Sequence, residues 1–167
     1  NTGGGRFVDV SDRSGSGMKL RRQSRGAVSL DYDNDGDVDI AVLNRFCRLP
    51  DGVENGIDLL RNDGGNRSHW LEVKVVPAVR SRPSGAEKQE TGIMRYQSRG
   101  RSNSFGVGAR VTVFADELVQ VKEVRCGSGY QSHNDMRLHF GLGTAVRVDS
   151  LEVLWPDGIR QVVRDLG

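Results

Sequence analysis

Apolar residues recur at every second position along much of the chain. In one stretch, Leu71, Val73 and Val75 alternate with Glu72 and Lys74. The same period of two occurs at 107–113, 136–142 and 151–155, and more loosely at 159–166. This alternation is typical of strands with one buried face, and no stretch shows a convincing helical period with caps. The sequence therefore predicts an all-β fold.

Glycines and polar segments separate these stretches. The 22 glycines supply tight turns. Trp155–Gly158 reads WPDG, which favours a hairpin turn because Pro sets one backbone dihedral and Gly permits a positive φ. Two polar segments, Ser11–Arg25 and Val79–Ser104, are predicted to be loops. The mixed charge of the second is usual for a solvated loop, and binding to an acidic polymer is the alternative.

Composition bounds the function only loosely. The net charge is +2, so overall electrostatics identifies no partner, although 20 of the 24 basic residues are Arg. No run of 18 apolar residues is present, so we expect no membrane-spanning helix. The sequence starts at Asn1 rather than Met, and we interpret it as a processed or excerpted chain.

One stretch, DYDNDGDVD, places five aspartates within nine residues. In the pattern DxDxDGxxD, carboxylates occupy positions 1, 3, 5 and 9, which are Asp31, Asp33, Asp35 and Asp39. Position 6 is Gly36, and position 7, Asp37, would offer its backbone carbonyl. Ca²⁺ takes six to eight oxygen ligands, which a tight loop of this kind can supply. The sequence predicts a Ca²⁺ site here.

The flanks of this loop argue against an EF-hand. An EF-hand needs a bidentate Glu at position 12, where this chain has Val42. It also runs from helix to helix, whereas residues 27–30 and the alternating 38–42 indicate strands on both sides. Asp39 would then supply the late ligand. The alternative is an ordinary solvated turn, since Asp and Gly favour turns.

These segments resemble two families that occur together. GRFVDVSD (Gly5–Asp12) and SLDYDNDGDVDIAVLN (Ser29–Asn44) resemble an FG-GAP/VCBS-type repeat, the blade unit of integrin-like β-propellers, and LLRNDGGNRSHWLEVKV (Leu59–Val75) resembles the junction after such a blade. Three later segments, within 106–158, resemble the ASPIC/UnbV domain: GVGARVTVFA, GSGYQSHNDMRLHFGLG and VDSLEVLWPDG.

The resemblance implies an organisation in two parts. Residues 1–66 would form a propeller-blade-like, Ca²⁺-binding hairpin repeat. Residues 67–167 would form an ASPIC/UnbV domain, a β-sandwich or barrel-like unit with an inserted polar loop at 79–104, packed against the blade or following it. Such proteins resemble secreted or cell-surface components without accepted catalytic residues. The resemblance therefore implies an extracellular location.

We predict a non-enzymatic, Ca²⁺-binding structural or adhesion module that contacts other surface proteins. The three histidines, His69, His133 and His139, are scattered and match no metal-binding or catalytic spacing. Nucleic acid is not an expected partner, because no aromatic residues interleave with the basic cluster Lys19, Arg21, Arg22 and Arg25. The same cluster favours a further alternative, binding of acidic glycans.

A second alternative is self-assembly. Only about one repeat is present, whereas a propeller needs several blades, and a single blade leaves strand edges open. Arg6–Val10 alternates Val8 and Val10 with polar residues after three glycines, so it could add to the edge of a neighbouring copy. Such strand complementation would give an extracellular filament or surface layer.

Two modifications are also considered. The two cysteines, Cys47 and Cys126, have two interpretations: they form a disulfide, or they are two separate buried thiols. Asn66-Arg67-Ser68 is an N-glycosylation sequon, so Asn66 is a candidate glycan acceptor.

Overall fold

The computed structural model describes residues 5–45, 56–78, 93–97 and 105–166. These residues form ten strands and three short 3₁₀ helices, with no α-helix among them, which confirms the all-β prediction. The strands are β1 Ser24–Leu30, β2 Asp39–Asn44, β3 Ile57–Leu60, β4 His69–Ala78, β5 Ile93–Gln97, β6 Arg110–Ala115, β7 Leu118–Glu123, β8 Leu138–Gly143, β9 Val148–Leu154 and β10 Arg160–Leu166. In the described part of the chain, no helix has the length and hydropathy needed to cross a membrane.

The first three strands form a small antiparallel sheet in the order β1-β2-β3. Leu30 at the end of β1 pairs with Asp39 at the start of β2, so the two strands close directly on the aspartate loop. The strands predicted on both sides of that loop are therefore present. We call β1–β3 and the loop 31–38 the N-terminal sheet.

The remaining strands form two sheets that enclose a common apolar core. One sheet has the order β10-β9-β6-β7 and is antiparallel throughout. The other has the order β5-β4-β8, in which β4 pairs parallel with β5 and antiparallel with β8. We call β4 and β6–β10 with their connections the C-terminal unit. The predicted boundary between 66 and 67 falls in the 3₁₀ helix Gly65–Arg67, just before β4.

The core follows the alternation in the sequence. On β6 and β8 every second residue is buried, and Val111, Val113 and Phe140 are fully inaccessible. Leu151 and Val153 on β9 face the same core. Every buried hydrophobic residue in the described ranges belongs to the C-terminal unit.

The WPDG segment forms the predicted turn between β9 and β10. The Gly158 N–H donates to the Trp155 carbonyl at 2.9 Å, and the Trp155 N–H donates to the Ile159 carbonyl at 2.8 Å. Gly158 has φ +83°, a conformation that other L-residues rarely adopt. The glycine therefore fixes the register of this hairpin.

Five segments differ from the interpretation of the sequence. The predicted loop 79–104 contains strand β5, which has parallel backbone pairing with β4 and so does not need a strong pattern of its own. β3 and β7 were not identified as strands, although LVQVKE in β7 does alternate. Residues 6–10 belong to no strand within the single chain, and 11–25 contains two short 3₁₀ helices before β1 begins.

Candidate metal centre

Three of the five predicted aspartates converge at the loop between β1 and β2. One carboxylate oxygen from each of Asp31, Asp33 and Asp39 lies within 4.8 Å of the other two. Asp31 and Asp39 are 5% and 0% exposed, whereas Asp33 is exposed. Three carboxylates this close repel one another unless a cation or protons offset their charge.

Backbone amides hold two of these carboxylates in place. The N–H groups of Asp35 and Gly36 donate to Asp31 at 3.2 and 3.0 Å, which folds the loop around position 1. The N–H groups of Tyr32 and Asn62 donate to the two oxygens of Asp39 at 3.2 and 2.7 Å. Because these donors are fixed by the strands and the loop, the carboxylates are oriented before any ion binds.

The other two predicted aspartates lie outside this group of three. Asp35 accepts a hydrogen bond from the Asp37 N–H at 2.8 Å. The Asp37 side chain is 1% exposed, and neither of its oxygens has a hydrogen-bond partner within the described residues. A Cβ built on Gly65 would lie 2.6 Å from Asp37 Oδ1, so Gly65 packs closely against this carboxylate. A buried carboxylate without a partner is costly, and a cation bound nearby would offset that cost.

These residues fit a hard cation. The donors are carboxylate oxygens, which suit Ca²⁺, Mg²⁺ and Mn²⁺ rather than metals that favour sulfur or imidazole. The sharp bend that encloses them occurs at Gly36, which has φ +92°. Asp31, Asp33 and Asp39 would hold the ion, and it would supply positive charge and bridge the ends of β1 and β2.

Arg137, one residue before β8, contacts the loop from the C-terminal unit. Its guanidinium donates to the Asp31 carbonyl at 2.9 Å and to Asn34 Oδ1 at 2.7 Å. It also donates to Glu72 at 2.9 Å and to Asp135 at 2.6 Å. The Arg137 guanidinium therefore joins the aspartate loop to two carboxylates of the C-terminal unit.

The local environment shifts the pKa values of this network. Bonding to Asp135 raises the pKa of Arg137. Burial opposes ionisation of Asp135, but the hydrogen bonds and charge of Arg137 together hold its pKa below the usual value. Burial raises the pKa of Glu72, despite the nearby Arg137. Asp135 is therefore the carboxylate that Arg137 stabilises most clearly.

His139 and Trp70 contact the loop beside Arg137. His139 Nε2 lies 2.9 Å from the Gly36 carbonyl, which can only accept, so Nε2 carries the proton. The Trp70 ring stacks on His139 with centroids 5.5 Å apart and an interplanar angle of 18°. A Cβ at Gly36 would lie 2.1 Å from Trp70 Cε2, so the ring covers the glycine closely. The spacing of the histidines in the sequence gives no role to His139, and no sequence motif points to Trp70 or Arg137.

The remaining candidate residues lie elsewhere or outside the described ranges. Asn66 is exposed, and its Nδ2 donates to the Asp35 carbonyl at 3.0 Å. Cys126 is exposed, whereas Cys47 lies outside the described residues, so their pairing stays a prediction. In the basic cluster, Lys19 lies 3.9 Å from Asp12 and Arg22 lies 3.6 Å from Asp58.

The comparisons with known proteins concern the C-terminal unit. A protein-family model described as ASPIC and UnbV matches residues 99–167, which confirms that part of the predicted resemblance. The matched segment contains β6–β10, and therefore Arg137 and His139. A search of curated proteins found no match to the chain. The FG-GAP/VCBS resemblance of the N-terminal sheet stays a prediction.

Proposed function

We propose that this chain is a non-enzymatic, extracellular Ca²⁺-binding module with a structural or adhesive role. The observation that carries the proposal is the convergence of Asp31, Asp33 and Asp39, with two of the three carboxylates buried. Burial of several carboxylates in one loop favours a bound cation over a solvated turn. Ca²⁺ is favoured over Mg²⁺ because Ca²⁺ accepts a larger and less regular shell of carboxylate oxygens, whereas Mg²⁺ demands near-ideal octahedral geometry.

In this proposal the ion stabilises the N-terminal sheet. Asp31 follows β1 and Asp39 begins β2, so one ion bound to both would fix the hairpin. Outside cells Ca²⁺ is abundant, and extracellular modules bind it at about 10⁻⁴–10⁻³ M. A site of modest affinity would therefore be filled there.

Titration calorimetry of the full chain with Ca²⁺ and with Mg²⁺ tests this proposal. Asp31→Asn and Asp39→Asn remove one charged ligand each at nearly constant volume, and we expect each to abolish measurable Ca²⁺ binding. Asp63→Asn is the matched control, since Asp63 is exposed and pairs with Arg61 at 2.7 Å in a neighbouring loop. A wild-type chain that shows no heat of binding and no change in melting with chelator would refute the Ca²⁺ proposal.

Self-assembly is a second candidate, supported by a different observation. Phe7 and Val8 are 80% and 56% exposed in a segment that forms no strand, and Ile57 on β3 is 71% exposed. Within the described residues, no strand pairs with the outer edge of β3. An exposed apolar segment and an open strand edge are what strand addition between copies requires.

Analytical ultracentrifugation of the full chain and of a variant lacking residues 1–10 tests this candidate. We expect the full chain to form assemblies and the truncated chain to disperse with its C-terminal unit folded. A full chain that stays monomeric, or a truncated chain that assembles normally, would rule out this route and leave the module proposal alone.

A further inference from the structure

We propose that Arg137 and His139 couple Ca²⁺ binding in the aspartate loop to docking of the N-terminal sheet on the C-terminal unit. This inference rests on the proposed Ca²⁺ site and states how that site is controlled. Neither side chain belongs to the carboxylate group that would hold the ion. Both act as positioning residues, through the backbone of the loop.

The loop presents different groups on its two sides. The side chains of Asp31, Asp33 and Asp39 converge on one another. The carbonyls of Asp31 and Gly36 are instead bonded by Arg137 and His139 of the C-terminal unit. Asp31 thus offers its carboxylate to the candidate ion and its carbonyl to Arg137.

Docking of the two parts relies largely on polar contacts, together with the Trp70 ring that covers Gly36. Beyond the loop, the Asp135 N–H donates to the Ser29 carbonyl at 3.1 Å, and Asn134 Oδ1 accepts from the Ser29 N–H at 3.0 Å. A cavity of about 400 Å³ lies where the two parts meet, and Arg125, Arg137 and Lys122 are among its lining residues. No residue of β1–β3 belongs to the buried apolar core. A joint of this kind depends on geometry that the loop must hold.

One conformation of the loop therefore favours both ion binding by the carboxylates and the hydrogen bonds to Arg137 and His139. An ion that fixes the loop would place the Asp31 and Gly36 carbonyls where Arg137 and His139 can bond them. Conversely, those bonds would favour the loop conformation that brings the carboxylates together. Coupling between two sites is reciprocal, so the C-terminal contacts must raise the Ca²⁺ affinity if Ca²⁺ strengthens the contacts.

Coupling through the loop and a purely electrostatic role for Arg137 predict opposite changes in Ca²⁺ affinity when Arg137 is replaced. A guanidinium close to the loop repels a dication, so removing it would tighten Ca²⁺ binding if charge alone mattered. If coupling through the loop dominates, removing it weakens binding. The sign of the change in affinity therefore separates the two explanations.

The test is calorimetric titration of Ca²⁺ into the full-length wild type and three variants. Arg137→Met removes the guanidinium but keeps most of the stem, and we expect about 10-fold weaker binding, within the usual range of coupling between sites. His139→Phe keeps a ring that can stack on Trp70 but removes the N–H, and we expect a smaller loss of affinity. Arg125→Met is the matched control, since Arg125 lines the same cavity with a side chain 71% exposed and pairs with Glu123 at 3.8 Å, and we expect less than about twofold change.

Hydrogen exchange supplies the reciprocal measurement. With Ca²⁺ added to the wild type, the Asp135 and Ser29 amides, which lie at the joint, should exchange more slowly. In Arg137→Met this added protection should shrink, while amides within β6 and β9 stay protected in both proteins. Protection in β6 and β9 also shows that the variant is folded, and His139→Phe carries the same test if Arg137→Met does not fold.

Each outcome decides between two ideas. Ca²⁺ affinity that is unchanged or higher in Arg137→Met and His139→Phe would overturn the coupling while leaving the Ca²⁺ site in place. A wild type that binds no Ca²⁺ would remove the site itself, and the coupling with it. Weaker binding in both variants but not in Arg125→Met would support the coupling.

Discussion

The N-terminal sheet and the C-terminal unit bury opposite kinds of side chain. All fifteen buried hydrophobic residues in the described ranges lie in the C-terminal unit. The buried polar residues that the described ranges contain all lie in the N-terminal part: Asp31, Asp37, Asp39 and Asn44. Apolar burial stabilises a fold by itself, whereas buried carboxylates destabilise it unless their charge is offset.

This difference indicates two distinct sources of stability. The C-terminal unit has one apolar core to which both of its sheets contribute, and burial of that core stabilises it. The N-terminal sheet has half-exposed apolar residues on β1–β3, and three of its four buried polar residues are aspartates. We therefore expect changes in core volume to affect the C-terminal unit, and changes in cation concentration to affect the N-terminal sheet.

The largest expected effect is in the core. Phe140 is fully buried on β8, so Phe140→Ala should lower the free energy of unfolding of the C-terminal unit by about 3–5 kcal/mol. Val121→Ala on β7 is the control, because Val121 is 56% exposed and should change stability by less than about 0.5 kcal/mol. Denaturant unfolding measures both. The effect of Phe140→Ala should be the same with Ca²⁺ or chelator, and a strong dependence on Ca²⁺ would break the separation of the two regions.

Removal of Ca²⁺ should have the next largest effect, confined to the N-terminal sheet. A ligand at 100 times its dissociation constant stabilises the state that binds it by about 2.7 kcal/mol. With chelator, the amides of Tyr32 and Asn62, which donate to Asp39, should exchange faster. Those of Val111 and Val113 in β6 should not change. Equal loss of protection in both regions would show that the C-terminal unit depends on Ca²⁺ as much as the N-terminal sheet does.

The local pattern of the sequence predicted the fold better than it predicted the site. Alternation identified β4, β6, β8 and β9 because each has one face in a shared apolar core. It missed β5, which lies in a polar stretch and has parallel backbone pairing with β4. Strands of that kind depend on their neighbour more than on their own side chains.

The aspartate loop was predictable because its carboxylates and its glycine are close together in the sequence. Arg137 was not, since it bonds Asp31 and Asn34 across more than 100 residues, and its position before β8 resembles that of any solvent-facing residue. Trp70 was missed for the same reason, because only the fold places its ring over Gly36. Contacts between the two regions carry no local signal in a single sequence.

Two glycines with similar backbone conformations allow a matched comparison between the regions. Gly36 has φ +92° in the aspartate loop, and Gly158 has φ +83° in the C-terminal hairpin. A Cβ at Gly158 would meet open space, whereas one at Gly36 would collide with Trp70. Gly158→Ala should therefore cost about 1 kcal/mol from backbone strain, and Gly36→Ala should cost about 2 kcal/mol because the ring must also move.

Thermal unfolding and Ca²⁺ titration of the two variants measure this difference. Gly36→Ala should weaken Ca²⁺ binding as well as stability, while Gly158→Ala should leave Ca²⁺ affinity unchanged. Equal effects of the two substitutions on Ca²⁺ affinity would show that the packing of Trp70 on the loop does not matter for the site.

The smallest expected effect is the pH dependence of the network that joins the two regions. The folded-state pKa of Asp135 lies below its ordinary 3.8, because bonding to Arg137 outweighs burial. Ionised Asp135 therefore stabilises the fold above pH 3.8, and this contribution is lost as the pH falls through the folded-state pKa. Burial raises the pKa of Glu72, the other carboxylate on Arg137, so its contribution has the opposite sign and is lost as the pH rises through its own folded-state pKa.

The difference in unfolding free energy between wild type and Asp135→Asn, measured in chelator, should be less than about 1 kcal/mol. It should be constant near neutral pH and shrink below pH 3.8, and a difference that grows on acidification would show that Arg137 does not stabilise the ionised Asp135.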